Sequence, residues 1–390
     1  MSTENKTGMG VLALLPILFG FFVMGFADLI GDFKDRMTGD LGLSKIEASF
    51  LPMMIFIWFF VMSIPAGVMT SRIGRKNTVL VSLFITAVAM ILPYAAYTKH
   101  TIYVSFALLG IGNTIIQAAL PALMRNVTSA DQLTSRLSFG QFVKALCAAL
   151  SPVLAALAAK QLGNWKLLFP IYTGITLLSA VWLLMTPVTR EATTAQTTTF
   201  GGCLALLGNP FILAMFSGIF FVVGVDVGFN CAIKPYLKAT CGLDTDSAAI
   251  GITVYFVAKT IGSFSGAIIL SKYSPAKCFP ISALLAFAGT VALLFVKGTT
   301  FILPCFAIAS LGVSNIFGMV FGQAMNRMPD KTNEAAGLMV MAIAGGGVLI
   351  PLMAALEKAI GPSGLVYVLL GCLAYLFGLG LFVAKQAKRA

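Results

Sequence analysis

Histidine occurs once in 390 residues, at His100, and charged residues make up only 10% of the chain. A single histidine in an expected loop excludes histidine relays and Ser-His-Asp triads. There is no Gly-x-x-x-x-Gly-Lys-Ser/Thr run to cradle nucleotide phosphates, which argues against ATP drive. The seven cysteines show no Cys-x-x-Cys spacing and lie mostly inside apolar runs. They read as small core residues rather than a disulfide framework or a metal site. No enzymatic activity, cofactor or metal is therefore expected. What is abundant is apolar, since hydrophobic residues account for 58%. Soluble domains carry about 25% charged residues. A soluble chain could not hide this much apolar surface, whereas a lipid-solvated chain need not.

A membrane-spanning helix needs about 20 apolar residues. Such runs fall at 11–32, 46–70, 77–97, 101–125, 137–159 and 164–186, then at 210–233, 247–270, 278–296, 300–325, 335–356 and 362–384. The Thr/Ala/Gly-rich stretch Thr189–Gly202 between the two sets reads as a flexible linker. The expected fold is an all-α membrane protein with 12 transmembrane helices in two six-helix pseudo-symmetric bundles. These are residues 1–188 and 209–390, joined by a cytoplasmic linker at 189–208. No cleavable signal peptide is expected: Met1–Gly10 is polar, and the apolar run after it passes Phe26 without a small-residue cleavage site.

The formal net charge of +12 would suggest nucleic acid in a soluble protein. Here the basic residues sit in short clusters between apolar runs and read as loop charge under the positive-inside rule. Every arginine except Arg36 falls on the side of the N-terminus. Both termini are thus expected in the cytoplasm, with the bacterial inner membrane as location and no nucleic-acid partner. The halves also look like weak repeats. FVMGFADLIG (Phe22–Gly31) parallels FVVGVDVGFN (Phe221–Asn230), and GIGNTIIQAA (Gly110–Ala119) parallels GVSNIFGMVFGQ (Gly312–Gln323). Parallel repeats of six helices are a transporter architecture.

Four charges fall inside spans: Asp28, Lys144, Asp226 and Lys259. Placing a charge at the bilayer centre costs at least ~2.5–3.5 kcal/mol, so such groups face a bundle interior or water and have partners. Asp28 can pair with Lys144 and Asp226 with Lys259, or the pairs can cross between halves. They serve either a solute and its coupling ion or only the pinning of helices. Amides recur on the same faces: Asn113 with Gln117, Gln141 with Lys144, Asn230 with Asp226, and Asn315 with Gln323. Together they suit a hydroxyl-rich solute. The plainer alternative is interhelical glue, at ~0.6 kcal/mol per bond. In the eleventh span, Gly345, Gly346 and Gly347 precede Pro351, a pattern for a broken helix beside a cavity or for close packing through small residues. Pro52, Pro65, Pro121 and Pro152 are expected to kink or end first-half helices.

The segment between the second and third spans reads Gly67-Val-Met-Thr-Ser71-Arg72-Ile-Gly74-Arg75-Lys76. It resembles the G-x-x-x-[DN]-R-x-G-R-[KR] signature of the major facilitator superfamily, with Ser71 where that family usually has an acidic residue or Asn. Gly67, Arg72, Gly74 and Arg75 are accordingly gating or structural candidates, as are Gly345–Gly347 and Pro351. A narrower resemblance, to fucose permease-like sugar:proton symporters, rests on Asp28, IPAGVM (Ile64–Met69), RLSFGQ (Arg136–Gln141), FVAKTIGSFSG (Phe256–Gly266) and MAIAGGGVLIP (Met341–Pro351). It implies that Asp28 is a proton and sugar site and that Gln141 binds solute. The family's fourth-helix Glu falls near Ile116, so that carboxylate is missing, with Gln117 beside it. The family's eighth-helix Arg is Lys259 here, and Lys144 is an additional charge.

The expected function is proton-coupled symport of a monosaccharide or sugar derivative by alternating access. Asp28 and Lys144 would couple the proton. Asp28, Asn113, Gln117, Gln141, Lys144, Asp226, Asn230, Lys259 and Asn315 would bind solute. The alternatives are symport of an anionic sugar acid or other organic anion, with Lys144 and Lys259 as counter-charges, Na⁺-coupled sugar uptake, or a transporter-like sensor. The expected partners are a small solute, H⁺ or Na⁺ and the lipid bilayer, and the chain is expected to be a monomer.

Overall fold

The computed structural model describes residues 3–161, 163–188, 199–244 and 247–388. Among these, regular structure is entirely helical. Helices fall at all twelve expected positions. The first is α1a (Thr3–Met24), continued by α1b (Ile30–Leu41) after a 3₁₀ turn at Gly25–Leu29. Then come α2 (Lys45–Ile73), α3 (Arg75–Ala95), α4 (Lys99–Val127), α5 (Ala130–Gln161) and α6 (Leu168–Met185). The second set is α7 (Pro210–Cys241), α8 (Ala249–Lys272), α9 (Pro275–Ala292), α10a (Thr299–Val313) with α10b (Ile316–Arg327), α11a (Thr332–Met341) with α11b (Gly345–Ile360), and α12 (Ser363–Ala387). Among the described residues, ten helical stretches are long and apolar enough to cross a membrane, and Ala13–Leu29 is a shorter apolar one. Helix α5 has 32 residues, more than a ~30 Å hydrocarbon core requires at ~1.5 Å per residue.

Local chemistry explains the ends. Ser44 Oγ accepts from the Glu47 amide while Glu47 Oε2 accepts from the Ser44 amide at 2.7 Å, a capping box that starts α2. The Ser44 hydrogen bonds and the Lys99 ammonium, 3.1 Å away, hold the Glu47 carboxyl down at about 2. Asn209 caps α7 through its side-chain oxygen, and Pro210 occupies the first helical position. Gly74 forms the corner between α2 and α3 with φ of 87°, a conformation L side chains rarely adopt.

One expectation changes in part: the described prolines of the first half do not end their helices. Pro52 and Pro65 lie inside a continuous α2, and Pro121 inside a continuous α4. Within a bundle, neighbouring helices re-satisfy the carbonyl that a proline frees, so the helix continues. Pro152 falls outside the described side chains. Of the expected linker, residues 189–198 lie outside the described residues. Its remainder contains a short helix, Phe200–Ala205, capped by Thr199, whose hydroxyl accepts from the Gly202 amide at 3.1 Å.

The chain forms two compact units. The first comprises Met1–Leu133, Val143–Gly208 and Met325–Met341. Helix α4 is its buried centre and packs on α1a, α2, α3 and α11a. The second comprises Thr134–Phe142, Asn209–Ala324 and Ala342–Ala390. There α7 packs on α11b and α12, and α10a packs on α8 and α9. Each unit therefore takes up one segment that the expected bundle boundaries assign to the other half of the sequence.

Candidate functional site

In the second unit, α7 runs unbroken for 32 residues past Asp226. Lys259 of α8 places its ammonium 2.6 Å from Asp226 Oδ2. Tyr255, one turn earlier on α8, donates its hydroxyl to Asp226 Oδ1 at 2.8 Å. Both carboxylate oxygens are thus engaged. The Asp226 and Lys259 side chains are only 25% and 23% exposed. Tyr255 is fully buried against Phe229, and Ser310 of α10a donates to its backbone carbonyl at 2.6 Å. Asn230 donates to the backbone carbonyl of Asp226, one turn back on its own helix.

In the first unit, Asp28 lies in the 3₁₀ turn between α1a and α1b. Lys144 of α5 places its ammonium 3.2 Å from Asp28 Oδ2. No second side-chain donor reaches Asp28 among the described residues, and its side chain is 38% exposed. The break itself is held from α4. Met24 ends α1a, and its carbonyl accepts from Asn113 Nδ2 at 2.7 Å. Gln117 donates to Asn113 Oδ1 at 2.6 Å, which fixes the amide's orientation. A helix end leaves carbonyls without intrahelical partners, and Asn113 supplies one of the missing donors. Each Asp/Lys pair thus lies within one half, and the crossed pairing is not the one formed.

The remaining candidates divide. Asn315 is buried at the Ser314–Asn315 break between α10a and α10b, and its Nδ2 donates to the Gly262 carbonyl of α8 at 2.8 Å. Gln141 is half-buried in the Thr134–Phe142 segment of the second unit and makes no hydrogen bond to the described residues. The eleventh helix is broken as its glycines suggest, by a 3₁₀ turn at Ala342–Ala344. Gly345 and Gly346 back onto Phe220, Val223 and Val227 of α7, where a methyl group would collide or press closely. Gly347 faces open space, and Pro351 lies exposed inside a continuous α11b.

At the α2–α3 corner, α2 crosses α11a with Gly67 against the Asn333 carbonyl and Gly337 against the Ser63 carbonyl. Asn333 Nδ2 donates to Ser71 Oγ at 3.2 Å, and Arg75 Nε donates to Asn333 Oδ1 at 2.8 Å. Arg75 also donates to Asn126. Lys76 donates to the Leu184 and Thr186 carbonyls at the end of α6. Arg72 is exposed. With Ser71 in place of an acid, this corner is joined through neutral amides and one guanidinium.

The sequence reading missed three residues. Tyr255 stands four before Lys259, a spacing that shares a helix face, and that was the available signal. Asn333 carries no local signal. Asp40, near the end of α1b, accepts from the Tyr97 hydroxyl and the Trp165 indole, each at 3.1 Å, with Lys166 3.6 Å away. Burial, then Asp40, pushes the Tyr97 hydroxyl well above its ordinary range.

Apolar helices in a twelve-helix frame, the first interrupted at an aspartate, are the architecture of a polytopic membrane carrier. The sequence profile of the Major Facilitator Superfamily matches residues 17–351, and the chain belongs to that superfamily. It is 23% identical to a glucose/galactose transporter of Brucella abortus biovar 1 (strain 9-941), across 98% of this chain and 97% of that one. It is 21% identical to the L-fucose-proton symporter of Escherichia coli (strain K12), across 92% and 89%. Its fold is similar to that of FucP, a superfamily transporter crystallised in the outward conformation, with a TM-score of 0.84, 19% identity and coverage of 96% and 99%.

Proposed function

We propose that this chain is a proton-coupled symporter of a neutral monosaccharide or close derivative. It would work as a monomer by alternating access of the bundles 1–188 and 209–390 about the linker 189–208, in the bacterial inner membrane with both termini cytoplasmic. The relatives' glucose/galactose and fucose-proton transport supports the solute class and the coupling ion. The observation that supports a neutral solute is that both intramembrane ammonium groups already have a carboxylate partner, at 3.2 Å and 2.6 Å. An anionic solute would need an unmatched cation in each such place. A polyol needs only directed donors and acceptors.

Asp28 is the coupling group in this reading. Its side chain is 38% exposed, and its single ion-pair partner sits on another helix. A carboxylate that keeps its ammonium stays charged, and one that loses it in a low-dielectric setting takes up a proton. A change in the Asp28–Lys144 distance during the cycle therefore moves a proton with the solute. In proteoliposomes with an imposed pH gradient, Asp28→Asn should abolish sugar accumulation while leaving sugar counterflow measurable. Undiminished gradient-driven accumulation by that variant would overturn the assignment.

A further inference from the structure

We infer that Tyr255 is a positioning residue for Lys259: through Asp226 it holds the ammonium so that its other N–H donors face an uncharged, hydroxyl-bearing solute. The inference rests on the sugar reading above.

An aspartate carboxylate that meets only an ammonium can rotate about its last torsion, which is broad and roughly two-fold. The ammonium then tracks whichever oxygen is nearer. Here the Tyr255 hydroxyl fixes Oδ1 at 2.8 Å, which leaves Oδ2 as the oxygen that receives Lys259 at 2.6 Å. Tyr255 is itself fully buried, with its ring 5.3 Å from that of Phe229 and its carbonyl taken by Ser310. A lysine ammonium carries three donors. One is directed at Asp226, and no other described residue accepts the remaining two. The Lys259 side chain retains 23% exposure. The Phe256 ring stands 5.9 Å from the ammonium and walls one side. With Asp226 cancelling its charge, Lys259 acts as a fixed pair of hydrogen-bond donors, the function a neutral hydroxyl or ring oxygen requires.

The competing role is simple pinning of α7 to α8, which would affect stability and not solute affinity. Tyr255→Phe separates the two, because it keeps the buried ring and removes only the hydroxyl. In proteoliposome counterflow with D-glucose, D-galactose and L-fucose, the variant should raise KM for the transported sugar about tenfold, ~1.4 kcal/mol, with maximal rate within about twofold of wild type. Adding Tyr255→Phe to Lys259→Met should change KM no further, because the group it positions is gone. An unchanged KM in Tyr255→Phe, or an equal further rise in the double variant, overturns the positioning role alone. No flux of any of the three sugars by the wild type overturns the sugar reading and this inference with it.

Discussion

The two aspartates stand at corresponding places in the sequence repeat, in the first helix of each half, but their lysines come from non-equivalent helices, the fifth and the eighth, and the pairs differ in nearly every physical respect. Asp226 lies in an unbroken helix, with a buried tyrosine on one oxygen and an ammonium on the other. Asp28 lies in a 3₁₀ turn between two helices, has one partner at 3.2 Å and is 38% exposed. A carboxylate with both oxygens engaged inside a continuous helix is suited to hold something still. A carboxylate on an interrupted helix, with one partner and 38% exposure, is suited to change its state. In the proposed cycle the first is a clamp and the second a switch.

The largest effect that can break this comparison is on stability. Lys259→Met leaves a carboxylate that is only 25% exposed without its cation and should destabilise the folded protein by about 3–5 kcal/mol. Lys144→Met leaves a carboxylate that is 38% exposed, and screening holds its cost to about 1 kcal/mol or less. Unfolding in detergent micelles measures both, and equal losses would erase the distinction. Next in size is Asn113→Leu, which strips the donor from the Met24 carbonyl at the end of α1a. It should cost about 1–3 kcal/mol and weaken gradient-driven accumulation more than counterflow, because the turn that carries Asp28 loosens. A purely global loss, equal in both assays, would mean that Asn113 does not serve the turn.

Smaller effects lie away from both pairs. Asn333→Ala removes partners of Ser71 and Arg75 and should cost about 1 kcal/mol, read as a lowered melting temperature. The smallest is at Glu47. Its carboxyl is held down at about 2, against an ordinary 4.5. A depressed carboxylate stabilises the fold above its unfolded pKa, and that contribution is lost as pH falls from about 4.5 towards about 2. The melting-temperature difference between wild type and Glu47→Gln should shrink across that window, and a constant difference would refute the capping account.

The sequence made some of this legible. Charges inside apolar runs stand out because lipid tolerates so few, and the glycines of the eleventh span marked a real interruption. The 3₁₀ turn at Gly25–Leu29 left a weaker mark, because its lone Gly25 costs a helix only about 1 kcal/mol. It is held by Asn113, 89 residues away from Met24 in sequence. Prolines that could have ended a helix do not end one here, since a bundle supplies the partners that a proline withholds. Tyr255 was passed over as one more aromatic in an apolar stretch. Its role depends on a distance to α7 that periodicity does not record. The placement of Thr134–Phe142 and Met325–Met341 in units other than their own half likewise rests on long-range packing.

The most direct test of the division between switch and clamp is sugar-dependent alkalinisation of the medium by proteoliposomes, with sugar flux measured in parallel, for Asp28→Asn and Asp226→Asn. The account predicts that Asp28→Asn moves sugar in counterflow with no accompanying proton, whereas Asp226→Asn, with its flux reduced, keeps the wild-type ratio of protons to sugar. Proton movement that persists in Asp28→Asn and disappears in Asp226→Asn would contradict it.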